Sequence, residues 1–350
     1  MSLKSARRSV AVAFSGGKDS TAAVLLLREQ GGDLRALTMR LGIPGEEEKL
    51  AHIESLARAL GVPWKVIDLR VAFKEKVLGY FIDAYRRGLT PNPCVLCNRR
   101  IKFGLLLEQA VKSAADCLLA TGHYADKVCV GGRWFLREPA DREKSQIYFL
   151  AMVDPAALAY VLFPLAGLTV DQVRARVAGL PLANTGESQD ACFLQGEDMA
   201  GFLGRHLPDA FRPGDFLNAT GNKIGRHQGA VRFTLGQRRG TGHASGRRLY
   251  VVGRDLEANT VTLGEEKDLL SGTVAVDVPV HWRPLRVGES LEVKVRYQRR
   301  GHNAVVTEAS ATRIRAVFAG PVRAVTPGQF AVFYDNDLIV AAGEIGHDQS

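Results

Sequence analysis

No apolar run in this sequence approaches the roughly 20 residues that a membrane-crossing helix needs; stretches such as Val24–Leu27 and Leu118–Ala120 are far shorter. A leader with an apolar core is lacking too. After the basic Met1–Arg8, the apolar Val10–Phe14 gives way at once to Ser15-Gly16-Gly17. The expectation is a cytoplasmic protein with no membrane partner. Cysteine is sparse, with five among 350 residues (Cys94, Cys97, Cys117, Cys129 and Cys192). In a reducing compartment so few thiols do not make a disulfide framework; they pack as small apolar groups or do chemistry. Acidic residues are absent from Lys223–Arg248, which carries seven Lys/Arg, and scarce in Arg283–Arg323, with three against nine basic residues. Together with a formal net charge of +9, these segments favour contact with a phosphate polyanion. The plainer reading is a basic face that keeps the protein in solution.

What is present begins with length. At 350 residues the chain exceeds one ordinary core, and two or three domains are expected. The first half alternates strand and helix signals, which predicts a parallel sheet. Ser9–Phe14, Leu34–Met39, Trp64–Leu69 and Asp116–Ala120 read as strands. Ser20–Gln30, Glu46–Leu60, Phe73–Arg87 and Ile101–Ala114 read as helices, with a loop at Gly88–Asn98. Beyond about residue 200, glycine becomes frequent and short alternating segments take over. Leu249–Gly253, Thr260–Gly264, Ser290–Arg296, Asn303–Ala309 and Ala331–Tyr334 are examples. The expected architecture is an α/β parallel-sheet domain over residues 1–200, a small β-rich domain over 201–269 and a β-barrel over 270–350.

Ser15-Gly16-Gly17-Lys18-Asp19-Ser20 falls between the first strand and the first helix. Two glycines let the backbone turn tightly and bring its N–H groups to an anion, and the helix points its positive end at the same place. Ser15 and Ser20 supply hydroxyls, and Asp19 suits a metal-bound pyrophosphate. The string is not the GxxxxGK[ST] loop of nucleoside triphosphatases. A Gly-Gly turn alone is also compatible with a structural role.

The second informative segment is Thr90-Pro91-Asn92-Pro93-Cys94-Val95-Leu96-Cys97-Asn98. Its prolines hold the chain extended, Asn98 is placed to cap the next helix, and thiols near a helix N-terminus have a lowered pKa. A CxxC pair can be half of a zinc site, a redox dithiol or a set of iron–sulfur ligands. No second CxxC or HxxxH completes a zinc site. Cys192 is the other cysteine in a loop, within Gly186–Leu194, whereas Cys117 and Cys129 lie in apolar, strand-like runs.

The ordered strings AFSGGKDS (13–20), TPNPCVLCN (90–98), ATGHY (120–124), KSQIYFL (144–150), ACFL (191–194), HQGAVRFTLGQRRG (227–240) and VTPGQFAVFY (325–334) resemble the tRNA-specific 2-thiouridylase family. The first of them resembles the PP-loop of ATP pyrophosphatases, and the match is collinear from Val10 to about Gly343. The resemblance implies an ATP site at Ala13, Phe14, Ser15, Gly16, Gly17, Lys18, Asp19, Ser20, Met39 and Gly122, with Mg2+. It implies Cys97 as nucleophile and Cys192 as the carrier of persulfide sulfur. Asn92, Pro93 and Cys94 would face the target base, and His123, Lys144, Ser145, Gln146, Arg296, Tyr297 and Gln329 would touch tRNA rather than DNA. Arg296 and Tyr297, a cation and a stacking ring in a basic segment, fit RNA contact independently. The implied reaction is thiolation of a tRNA uridine at C2, most plainly the wobble base, with sulfur from a persulfide carrier protein or sulfide. Adenylation of the base carbonyl, with release of pyrophosphate, makes a leaving group of its oxygen, and a sulfur nucleophile then displaces AMP.

Cys94 departs from the family pattern, which has Asp there, and Ser145 also stands where Asp is usual. Three thiols, Cys94, Cys97 and Cys192, would allow a [4Fe–4S] cluster with one open iron as an alternative to a persulfide route. A PP-loop ligase or amidotransferase acting on another substrate, thiolation of a different tRNA position, and an RNA-binding module with a structural metal are the competing readings. The ligase leaves the basic β half unemployed, and the binding module leaves the phosphate loop unexplained.

Overall fold

A computed structural model of the chain describes residues 9–114, 116–182, 191–243 and 246–346; Gly186–Asp190, ahead of Cys192, lie outside the described residues. The chain packs as two compact units. One holds the residues up to Val77, Cys94–Gln195 and Asp337–Val340; the other holds Leu78–Pro93, Gly196–Asn336 and the residues from Ala341 onward.

The first unit is built on a parallel sheet of β1 (Ser9–Ala13), β2 (Asp33–Arg40), β3 (Trp64–Asp68) and β4 (Leu118–Ala120), extended by a two-residue strand, Val161–Leu162. The spatial order is β3, β2, β1, β4 and then Val161–Leu162, with β1 paired in parallel to both β2 and β4. A strand flanked on both sides and covered on both faces reads as an unbroken apolar run, and Val10, Ala11 and Val12 are fully buried. Helix α1 (Lys18–Glu29) packs Ala23, Val24 and Leu27 on this sheet, and α2 (Glu46–Ala59) adds Ile53, Leu56 and Ala57 to the same core. Gly31 and Gly61 follow these helices at positive φ (76° and 65°), the left-handed position at which a helix stops. Chain order reverses between β1 and β4. The crevice beyond the carboxyl ends of those two strands is where an open α/β sheet takes a ligand.

The second unit contains a four-stranded sheet and, apart from Leu338–Val340, a closed barrel. Counting past the hairpin strands β5 (Asp126–Val130) and β6 (Arg133–Arg137) of the first unit and Val161–Leu162 as β7, the sheet comprises β8 (Gly214–Leu217), β9 (Lys223–His227), β10 (Tyr250–Asp255) and β11 (Thr260–Gly264). They run in the order β10, β11, β8, β9 around Phe216, Phe233, Val251, Val261 and Leu263. The barrel has six strands: β12 (Leu270–His281), β13 (Ser290–Lys294), β14 (His302–Ala309), β15 (Arg313–Arg323), β16 (Phe330–Asp335) and β17 (Leu338–Ile345). Antiparallel pairing of Val276 with Ile345 and His281 with Ala341 closes it and removes the open edge. Trp282, Phe330, Phe333 and Tyr334 are its largest fully buried side chains.

The parallel sheet and the barrel were expected from the sequence; several local features differ. The helix expected from Ile101 begins at Pro93 and continues through a π-helical stretch, Cys97–Leu106, to Ser113. Proline is tolerated in a first helical turn because its missing N–H would have had no partner there. Cys94 and Cys97 therefore lie in helical turns, not in a loop. Asn98 does not cap a helix: its Nδ2 donates to Phe149 O at 3.0 Å. Cys117 is buried as expected for a strand-run thiol, but Cys129 is exposed on the β5–β6 hairpin.

Candidate active site

The phosphate loop is held by its own short bonds. The Phe14 amide donates to Leu37 O at 2.8 Å, and Phe14 O accepts from Thr38 Oγ1 at 2.7 Å, which is itself bonded by Trp64 Nε1 at 2.8 Å. Gly16 turns at φ 71°. The buried Ser20 hydroxyl donates to Gly17 O at 3.0 Å and accepts from the Ser15 amide at 3.2 Å. Ser20 thus ties the loop shut, and the Ser15 hydroxyl sits 3.2 Å from it. Gly17 occupies the N-cap of α1 and provides no side-chain cap. The first amides of a helix have no acceptor one turn back, and an anion is their natural complement. Ala13 ends β1, and the half-buried Met39 stands one residue before the end of the parallel β2.

The Thr121–Tyr124 loop after β4 closes on this turn. A Cβ added at Gly122 would lie 2.6 Å from Asp19 C and 2.7 Å from Ser20 N, so only glycine allows this approach. Tyr124 Oη donates to Asp19 Oδ1 at 3.2 Å, and burial next to that carboxylate pushes the phenol well above its usual range. Gln146 holds Tyr124 from both sides: its Oε1 accepts from the Tyr124 amide at 2.9 Å, and its amide donates to Tyr124 O at 2.8 Å. Ser145 is buried, and the amide of the half-buried Lys144 donates to Asp141 Oδ1 at 3.3 Å. His123 Nδ1 lies 2.9 Å from Thr121 Oγ1, and its Nε2 lies 3.4 Å from Lys102 Nζ. Burial, and then Lys102, hold the imidazole well below its usual pKa and so neutral.

The three candidate cysteines belong to this same unit. Cys94 and Cys97 stand in the helical run from Pro93. Cys192 is exposed in a turn whose Phe193 and Leu194 are buried, with Phe193 and Phe73 ring centroids 6.5 Å apart. Burial pushes the Cys97 thiol up to about 12 and raises Cys94 and Cys192 as well; Lys102 counters this at all three. The lowered thiol pKa expected from helix position is therefore reversed, because desolvation of the thiolate outweighs the nearby positive charge. Although Cys94 and Cys192 keep exposed surface, protein atoms around each sulfur exclude enough water for desolvation to be the leading cause. Among the described residues, no group of three or more His, Cys, Asp or Glu side chains is placed to hold a metal ion, so the three thiols as arranged do not fit a cluster. A nucleotide-borne Mg2+ is a different case, since it needs only one or two carboxylates beside phosphate oxygens. Asp19 is the carboxylate on the loop.

The remaining candidates lie in the second unit. Asn92 and Pro93 end the segment Leu78–Pro93, which is bound tightly there. Arg254 donates to Gly88 O at 2.9 Å, Leu89 O at 2.7 Å and Thr90 Oγ1 at 3.2 Å, and also reaches Phe233 O. Gln329 Nε2 donates to Thr90 O at 2.8 Å, the Thr90 amide donates to Pro327 O at 2.9 Å, and a Cβ on Gly328 would stand 2.8 Å from Thr90 N. Gln329 thus has a partner within the protein, on the loop before the cysteines. Arg296 donates to Arg323 O at 3.2 Å, while Tyr297 is 47% exposed. Sequence reasoning missed Lys102, Tyr124 and Arg254. Tyr124 lay inside a recognised string, but nothing local linked Lys102 to Cys97 or Arg254 to Thr90.

Comparison with known proteins adds an independent line. A family model described as the tRNA methyl transferase HUP domain matches residues 8–196, one described as its PRC-barrel domain matches 200–265, and an aminomethyltransferase beta-barrel domain matches 280–345. The chain is 40% identical to a protein of Pelotomaculum thermopropionicum over 96% of both chains. It is 40% identical to one from Desulforudis audaxviator, over 96% of this chain and 98% of the other. It is 39% identical to one from Treponema denticola, over 96% and 97%. All three carry the name tRNA-specific 2-thiouridylase MnmA.

Proposed function

The chain belongs to the tRNA-specific 2-thiouridylase family, and from that premise we propose that it makes 2-thiouridine in tRNA at the expense of ATP. The observation that carries this reading is the pairing, within one unit, of a capless helix N-terminus behind Ser15–Gly17 with three thiols that share the influence of Lys102.

The uracil C2 carbonyl is a weak electrophile with a poor leaving group. In the proposed first step, its oxygen attacks the α-phosphorus of ATP, the α–β bridging bond breaks, and pyrophosphate departs. Gly16, Gly17 and the first amides of α1 accommodate the phosphates, Ser20 holds the turn and Tyr124 orients Asp19. Asp19 would hold Mg2+ beside the phosphates, where the ion would supply charge neutralisation. In the second step the terminal sulfur of a Cys192 persulfide attacks C2, and AMP leaves with the former carbonyl oxygen. The Cys97 thiolate then attacks Cys192 Sγ. This releases the thiolated base and leaves a Cys97–Cys192 disulfide, which an external dithiol reduces. The persulfide comes from a donor protein or from sulfide with an oxidant. No step passes through a cluster. Cys94, in place of the family's carboxylate, faces the base as a neutral group, since burial raises its thiol pKa.

The test is made with purified protein, ATP and unmodified tRNA, following pyrophosphate release and then 2-thiouridine by nucleoside mass spectrometry. Release should depend on tRNA, and thiolation should be lost in Cys97→Ala and in Cys192→Ala while ATP still binds. A ligase acting on another substrate predicts release that ignores tRNA. Thiolation surviving either alanine variant overturns the sulfur relay.

A further inference from the structure

Helical pitch decides which side chains share a face. In an α-helix each residue turns about 100°, so residues five apart point about 140° away from each other. A π-helix bonds i to i+5, with roughly 4.4 residues per turn, so five residues make one turn plus about 50°. Cys97–Leu106 is wound this way. The Leu107 amide reaches back five residues to Lys102 O, and a Cβ on Gly104 would lie 3.1 Å from Arg99 O, also five residues back. Cys97 and Lys102 are five apart. On an α-helix the ammonium would be carried off the thiol's face; the wider winding brings it round.

A second element steers the ammonium. A lysine ammonium can only donate, so the 3.4 Å contact makes His123 Nε2 the acceptor. The imidazole proton is then on Nδ1, directed at Thr121 Oγ1 2.9 Å away. A neutral ring leaves the positive charge on Lys102. The groups acting on the three sulfurs are few. Cys97 is influenced by Lys102, Cys192 and Cys94; Cys94 by Cys192 and Lys102; and Cys192 by Lys102, Lys49 and Glu46. Lys102 is common to all of them.

We infer that Lys102, turned onto the cysteine face by the π-helical winding and steered by neutral His123, is the positioning cation that stabilises the attacking sulfur as a thiolate. The inference rests on Cys97 being a sulfur that reacts, but not on which base it serves. It gives the π stretch a purpose. A thiol this buried is inert at rest, and one fixed ammonium is the local means of drawing out its thiolate.

The test measures thiolate formation directly, by the rate of iodoacetamide alkylation of each cysteine peptide in the whole protein. Cys97 gives its proton to buffer, its sulfur bonds to carbon, and iodide leaves. Between roughly pH 7 and 9, well below the thiol's pKa, log rate should climb one unit per pH unit. Lys102→Met should lower the Cys97 line about tenfold without changing its slope, and Lys102→Arg should restore most of the loss. Exposed Cys129 should keep its rate in every variant, and buried Cys117 should stay unmodified while the fold is intact. If Lys102→Met exposes Cys117, Lys102→Gln replaces it, since its amide still donates to His123. An unchanged Cys97 rate in a folded, uncharged variant overturns the inference, as does an equal loss in Lys102→Arg. Because no tRNA is present, a failure of the thiolation reading would show separately, in nucleoside analysis.

Discussion

Gly122 is the residue at which the nucleotide loop tolerates least change. A methyl group there would meet backbone atoms of Asp19 and Ser20 at 2.6 and 2.7 Å, and backbone cannot swing aside as a side chain does. Overpacking of this kind costs about 1–3 kcal/mol. Gly122→Ala should therefore weaken ATP binding by about tenfold or more in a calorimetric titration while leaving a folded protein. Affinity within about twofold of wild type would show that the two loops separate freely. His123 makes a prediction in pH. Its folded pKa lies well below the ordinary 6.5, so below that pH the unfolded chain takes up a proton that the folded chain refuses. The stability it contributes is complete above pH 6.5 and is lost as pH falls toward the folded pKa. His123→Gln should flatten that part of the Tm profile, and parallel profiles would contradict the neutral assignment. At this scale the loop was legible because SGGKDS is local. Its supports Thr38 and Tyr124 were not, because they reach it through tertiary approach, which spacing does not encode; Gly122 came from the family resemblance alone.

Among the elements, the segment Leu78–Pro93 depends most on distant partners. Arg254 is largely buried, with no carboxylate partner among the described residues, and its guanidinium is satisfied by the carbonyls of Gly88, Leu89 and Phe233 and by Thr90 Oγ1. Arg254→Met fills similar space but strands those acceptors, at about 1–3 kcal/mol for each buried group left without a partner. The expected result is faster hydrogen exchange across residues 86–92, with a smaller change in the four-stranded sheet. Exchange unchanged at Leu89 and Thr90 would remove Arg254 from this role. The helix that follows shows why sequence reading stops short. Pro91 and Pro93 argue for extended chain, yet Pro93 opens the helix because a first-turn proline forfeits no bond. The π winding after it has no residue signature, so helical spacing could not pair Lys102 with Cys97. The hairpin strand Asp126–Val130, with Cys129 exposed, was masked by an apolar run that looked buried.

At the scale of the molecule, charge and fold class were readable and their arrangement was not. The alternation of apolar strands and amphipathic helices announced a parallel sheet, and the change of texture past residue 200 announced β structure. That Leu78–Pro93 packs with the β half, not with the sheet that precedes it, depends on partners hundreds of residues apart, such as Gln329 and Thr90. The basic segments Lys223–Arg248 and Arg283–Arg323 predict binding that releases counterions. The logarithm of tRNA affinity should fall linearly with the logarithm of salt. Charge removal at Arg299 and Arg300 should reduce the slope by about one for each phosphate no longer neutralised. A slope indifferent to both would place RNA elsewhere on the surface. The most direct measurement of the central claim is pyrophosphate release from ATP with and without unmodified tRNA, paired with mass spectrometry of the tRNA's nucleosides. The account predicts release that requires tRNA and 2-thiouridine that appears with a sulfur donor. Release at the same rate without tRNA, with no thiolated nucleoside formed, would contradict it.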